Sequence, residues 1–205
     1  MIKAKHQFFL YHFFRLYGLW MIKKHFKKVT LTGAFSDQGK PILIISNHIS
    51  WWDGFWVVYF RQKVVKRKFH FMMLEEQLRK NIFLKYAGGY SIQKKNRTII
   101  ETIHYTQDLL QNPENMVLLF PQGKIESQHH HEIKFEKGIL KILEKNPDIQ
   151  MVLMAHFVDY FSNIKPTLSI YFEELTDSNL SHEKLEETYN QFYNRVLTQQ
   201  IQKSE

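Results

Sequence analysis

Two short, unbroken apolar runs constrain this chain more than anything else in it. Ile42-Leu43-Ile44-Ile45, preceded by Pro41 and followed by Ser46, and Met116-Val117-Leu118-Leu119-Phe120 each have the length of a buried strand, and each ends at a polar turn. A strand that is apolar on both sides of its pleat must be covered on both faces, as in parallel sheets crossed by helices. The stretches around them support that architecture. Strands are expected over residues 29–33, 41–46, 68–74, 90–93, 116–120 and 151–155, with an edge strand over 168–172. Helices are expected over 54–62, 75–86, 98–111, 137–144 and, capped by Ser181, 182–202. Strands alternating with helices predict a single α/β domain built on a mostly parallel mixed sheet.

At 205 residues and 44% hydrophobic content the chain can bury one sizeable core, and no linker or repeat divides it. Residues 1–28 read as a distinct piece, an amphipathic interfacial helix ahead of a domain spanning 29–205. The run from Phe8 to Ile22 is densely aromatic and is followed by Lys23, Lys24, Lys27 and Lys28, but Arg15 and His12 interrupt it. A spanning helix wants about 20 uninterrupted apolar residues. Rings at the headgroup level and lysines against anionic lipid fit a helix lying on a membrane; an amphipathic core helix is the alternative. The net charge of +8 implies an anionic partner, and the absence of cysteine suits a reducing compartment. A peripheral or monotopic protein on the cytoplasmic face of a membrane is the resulting expectation.

In parallel sheets, sites gather where a strand ends and the next helix begins. Asn47 and His48 follow one such end, and Pro121-Gln122-Gly123-Lys124 follow the other. On one continuous helix His48 and Asp53 would stand about 140° apart and could not meet. They meet if His48 lies in the turn and Asp53 in the first helical turn, and Ser50-x-x-Asp53 matches the capping-box pattern that starts a helix there. An imidazole whose tautomer is fixed by a carboxylate is a general base, suited to taking the proton of a hydroxyl. A helix-capping Asp53 beside a histidine that merely satisfies a backbone group is the competing account from spacing alone.

Asn47-His48-x-x-x-x-Asp53 resembles the first signature of the glycerolipid acyltransferases, which include the 1-acylglycerol-3-phosphate acyltransferases. Three further segments follow in that family's order. Gly88-Gly89-Tyr90-Ser91-Ile92-Gln93-Lys94 is similar to the second block, with Lys94 where an arginine is usual. Phe120-Pro121-Gln122-Gly123-Lys124 is similar to Phe-Pro-Glu-Gly-Thr, and Val152-Leu153-Met154-Ala155 occupies the place of the fourth. The resemblance implies that His48 deprotonates an acceptor hydroxyl and Asp53 orients it, while Asn47, Lys94, Pro121, Gln122, Gly123 and Lys124 serve the acceptor. It implies acyl-CoA or acyl carrier protein as co-substrate, and neither a metal nor a cofactor. The departures at Gln122, Lys124 and Ile125 bear on phosphate recognition, because a guanidinium grips phosphate in a bidentate way that lysine does not copy. Lys94, Lys95, Arg97 and Lys124 can still supply point charges, so lysophosphatidate is the leading acceptor and a non-phosphate lipid its rival.

Other signals lead elsewhere. His129-His130-His131 cannot share one face of a helix or strand, and reads as a solvated loop rather than a metal site. The basic stretch over residues 61–68 has no accompanying nucleic-acid fold signature, and the same cations suit an anionic bilayer.

Overall fold

The computed structural model describes residues 1–93, 97–145, 148–175 and 180–204. They form one α/β domain around a seven-stranded mixed sheet: β1 (Lys28–Thr32), β2 (Ile42–Ser46), β3 (Lys68–Leu74), β4 (Gly89–Ile92), β5 (Asn115–Leu119), β6 (Gln150–Asp159) and β7 (Thr167–Leu175). The spatial order is β1-β7-β6-β2-β5-β3-β4. Strands β6, β2, β5, β3 and β4 run parallel, whereas β7 pairs antiparallel with β6 and parallel with β1. The helices are α1 (Phe8–His25), α2 (Asp53–Lys63), α3 (Glu75–Lys80), α4 (Arg97–Leu109), α5 (Gly138–Leu143) and α6 (His182–Ile201).

The apolar runs split between two cores, as strand geometry requires. Leu43, Ile45, Val117 and Leu119 point to a core shared with α4, α5 and α6. Ile42, Ile44, Met116 and Leu118 point to the opposite core, which Trp56, Val57 and Phe60 of α2 close. Each of those three α2 side chains is buried and contributes about 1.5–3 kcal/mol.

Several elements depart from expectation. The helix anticipated over 75–86 breaks at Asn81 into α3 and a 3-10 helix, Ile82–Ala87. The backbone there turns on Gly88 at φ 108°, where an added Cβ would strike the Phe69 carbonyl oxygen at 2.0 Å. The segment read as an edge strand is instead internal, because β1 covers its far side. Strand β6 runs on to Asp159, its extension paired with β7.

Helix α1 packs on α2, with Gly18 against the ring of Phe55. Its inward residues are Gly18 and Ile22, and its open side carries Phe8, Phe9, Phe13, Leu16 and Trp20 rather than a polar face. Charge collects at its end, in Lys23, Lys24 and His25. No helix among the described residues is long and apolar enough to cross a membrane.

Candidate active site

Strand β2 lies between β5 and β6, and the chain leaves the ends of β2 and β5 towards opposite faces. This is the switch point of the sheet, where a crevice opens beyond the strand ends. Both segments singled out by their position in the sequence emerge there, and hydrogen bonds join them.

Asp53 begins α2 and is completely buried. Its Oδ2 accepts from His48 Nδ1 at 2.6 Å, from the Ile49 N–H at 2.8 Å and from the Ser50 N–H at 3.0 Å. The bond from Ser50 is one arm of the anticipated capping box; the Ser50 hydroxyl accepts from Trp52 at 3.2 Å rather than from residue 53. A single carboxylate oxygen thus fixes both the loop backbone and the imidazole. Burial pushes the Asp53 carboxyl above the ordinary range, and the hydrogen bonds from His48, Ser50 and Ile49 oppose that rise without cancelling it.

The His48 side chain is 24% exposed, and no described residue hydrogen-bonds its Nε2. Its ring stacks on Phe120, centroids 4.0 Å apart and planes 9° from parallel. Phe120 is the last residue before the second turn, so the aromatic that ends one strand holds flat the ring that follows its neighbour. Beneath lie three buried atoms with no partner among the described residues: Asp53 Oδ1, Trp56 Nε1 and His156 Nε2. The Trp56 and His156 rings meet edge to face at 5.1 Å, and burial lowers His156 to a pKa of about 3.

The remaining expected residues divide by location. Gln122 is buried; its Oε1 accepts the His48 backbone N–H at 2.6 Å and its Nε2 donates to Glu126 Oε2 at 2.8 Å. Both ends of its amide are therefore engaged within the protein. Asn47 is also fully buried, and joins β2 to β6 through two bonds to the backbone of His156, at 3.0 and 2.8 Å. The Pro121 carbonyl accepts from Glu136 at 2.8 Å. Gly123 takes φ 62°, with Glu136 where a Cβ would point, and its N–H donates to the Phe120 carbonyl at 3.2 Å. Lys124 reaches solvent and pairs with Glu126 at 2.8 Å, which raises the lysine and lowers the carboxyl. Lys94 and Lys95 lie outside the described residues.

A cleft of about 390 Å³ runs along this side, lined by Gln122, Lys124, Glu126, His130, Lys134 and Glu136 among others. On the other side of the His48 loop, a groove of about 320 Å³ is lined by Phe26, Ile49, Trp52, Trp56, Val158 and Tyr160 among others. His129, His130 and His131 are exposed in the loop after Lys124, and no group of three potential metal ligands comes together among the described residues.

Phe120, Glu126 and His156 were not singled out by the sequence. Phe120 stands in the third block, but its contact with His48 depends on strand pairing. Glu126 reaches Gln122 from the loop that follows, and nothing local marks His156 as lying under the pair.

A buried carboxylate fixing one nitrogen of an imidazole whose other nitrogen is open is the arrangement of a general base. A family model described as Acyltransferase matches residues 20–156, and the chain belongs to that family, whose reaction class is acyl transfer. No curated protein matches the chain.

Proposed function

We propose that this protein moves a fatty acyl group from a thioester, carried by CoA or acyl carrier protein, to the hydroxyl of a lysophospholipid-like acceptor at a membrane surface. The observation that carries this reading is the 2.6 Å bond from His48 Nδ1 to the buried Asp53, which leaves Nε2 as the open base. The acceptor hydroxyl gives its proton to Nε2 while its oxygen attacks the thioester carbonyl. The tetrahedral intermediate expels the thiol sulfur, which takes the proton back from the imidazolium. The N–H groups of Ile49, Ser50 and Gly123 are already spent on Asp53 and Phe120, so the oxyanion draws on other donors.

Of the phosphate acceptors, 1-acylglycerol-3-phosphate is the leading proposal, with Lys124 and Lys94 as point charges. A second reading, a lipid acceptor without phosphate, is favoured by the pairing of Lys124 with Glu126, which neutralises that cation internally.

The membrane part of the proposal rests on exposed rings. Phe8, Phe9, Phe13 and Trp20 of α1 continue through Tyr17 and Phe55 to Trp51, three residues from His48. With Lys23, Lys24, Lys27 and Lys28 at the helix end, this surface suits a monotopic attachment to the anionic cytoplasmic leaflet.

The test is consumption of acyl-CoA and of acyl carrier protein thioester on lysolipid vesicles by wild type and His48→Ala. A loss of about 10²–10⁴ in rate is expected. Equal rates would leave a lipid-binding relative without catalysis as the better reading.

A further inference from the structure

We infer that the tip of the β6–β7 hairpin, residues 160–166, inserts into an anionic bilayer and seats the aromatic groove beside His48 against it. This goes beyond attachment through α1 and depends on the proposed function only in taking lipid as the partner.

The tip is apolar where it meets solvent. Ile164 is 98% exposed, and Tyr160 and Phe161 are exposed beside it. A soluble turn gains nothing from a bare β-branched side chain flanked by two rings, whereas an interfacial turn places such side chains among acyl chains. The backbone agrees. The Asn163 N–H closes the turn onto the Tyr160 carbonyl at 3.0 Å, and Phe161 inside it takes φ 47°, a conformation that bulky residues avoid. Strain of this kind persists where the surroundings hold it, and here it turns an aromatic side chain outward.

The tip is also tied to α1. The Lys27 N–H, two residues beyond that helix, donates to the Pro166 carbonyl at 2.9 Å, and its ammonium bonds the Asn163 side chain. Tyr160 and Pro166 line the 320 Å³ groove together with Ile49, Ser50 and Trp52. Ile49 and Ser50 are the residues whose N–H groups hold Asp53, so the hairpin stands across the groove from the loop that carries the base.

Charge selects the occupant. Lys165 lies in the tip, Lys27 and Lys28 adjoin it, and no acidic residue occurs between 160 and 166. Apolar side chains ringed by lysines match an anionic lipid surface. A second copy of this chain, itself at +8, would set lysines against lysines.

Because the chain has no cysteine, Ile164→Cys provides a single labelling site. An environment-sensitive fluorophore there, in the full chain, is expected to shift to the blue and to lose iodide quenching on vesicles of phosphatidylglycerol and phosphatidylcholine. The same label at Asp108→Cys, on exposed α4 surface, should stay quenchable. Ile164→Glu should weaken partition onto those vesicles about tenfold while the circular dichroism is unchanged. Vesicle-bound protein whose label at 164 stays open to iodide would overturn the hairpin's role and leave α1 attachment standing. Failure of the wild type to bind vesicles would remove the membrane reading itself. A blue shift that grows with protein concentration in the absence of lipid would assign the tip to a second copy and overturn the proposal.

Discussion

The side-chain oxygen of Gln122 accepts the backbone N–H of His48 at 2.6 Å, while its amide nitrogen donates to Glu126 at 2.8 Å. This accounts for a departure from the pattern the sequence resembles, which has glutamate where this chain has Gln122. With Glu126 beside it, a carboxylate at 122 would face another carboxylate, whereas an amide serves an N–H on one side and a carboxylate on the other.

Gln122→Glu should therefore be harmful. Two carboxylates at that separation share a proton, and one of them titrates well above its ordinary range. Activity is expected to fall as pH rises through that value, with about 1–3 kcal/mol of stability lost. Gln122→Glu combined with Glu126→Ser should restore both, as read from pH–rate profiles and thermal melts of the two variants.

Asp53→Asn separates catalysis from stability. Burial holds the native carboxyl above the range it has in the unfolded chain, so ionising it costs the fold stability as pH rises through that window. The asparagine variant is expected to melt at or above the wild-type temperature at neutral pH and to lose about 10²–10⁴ in kcat. A large drop in melting temperature would show that Asp53 is chiefly structural.

Acid should unfold this protein through its buried histidines. Burial depresses His70 and His156 to about 3, below the roughly 6.5 of an exposed imidazole. Their contribution is fully present above about pH 6.5 and is lost as pH falls towards the folded values, because the unfolded chain then binds protons that the fold excludes. His70→Gln should flatten the pH dependence of unfolding free energy between pH 6 and 4 by about 1.4 kcal/mol per pH unit. Denaturant titrations across that range measure the slope.

Lys124→Met tests the acceptor. The lysine is exposed, so the melting temperature should not change. With a phosphate-bearing lysolipid, KM is expected to rise several-fold and its salt dependence to weaken; with an uncharged lipid alcohol, KM should stay level. Equal behaviour on both acceptors would exclude Lys124 from phosphate binding.

The parts of this molecule legible in its sequence are those set by local pattern. Residues 68–74 form the strand expected, because Phe69 and Phe71 followed by Met72, Met73 and Leu74 make a short aromatic and apolar run of strand length. The capping pattern placed Asp53 in the first turn of α2, which brings it within reach of a histidine five residues earlier. What escaped depends on distant pairing. Residues 168–172 read as an edge strand because nothing in them announces that β1 will cover their outer side. Residues 75–86 carry a helical pattern through Asn81, and nothing in that pattern marks the change at Asn81, where φ −126° and ψ 50° leave helical geometry. Glu126 and His156 reach the site through a loop and a strand far along the chain, so no local window contains both them and His48.

Asn47 joins β2 to the backbone of His156 across 109 residues of sequence. During synthesis the turn that holds His48 and Asp53 therefore leaves the ribosome well before β6, the strand that braces it. Until then the apolar strand ending at Ser46 lacks a neighbour on one side. The nascent chain thus passes through a period in which His48 and Asp53 are already made while their loop is still unbraced. The loop settles only when β6 arrives to take both ends of the Asn47 amide.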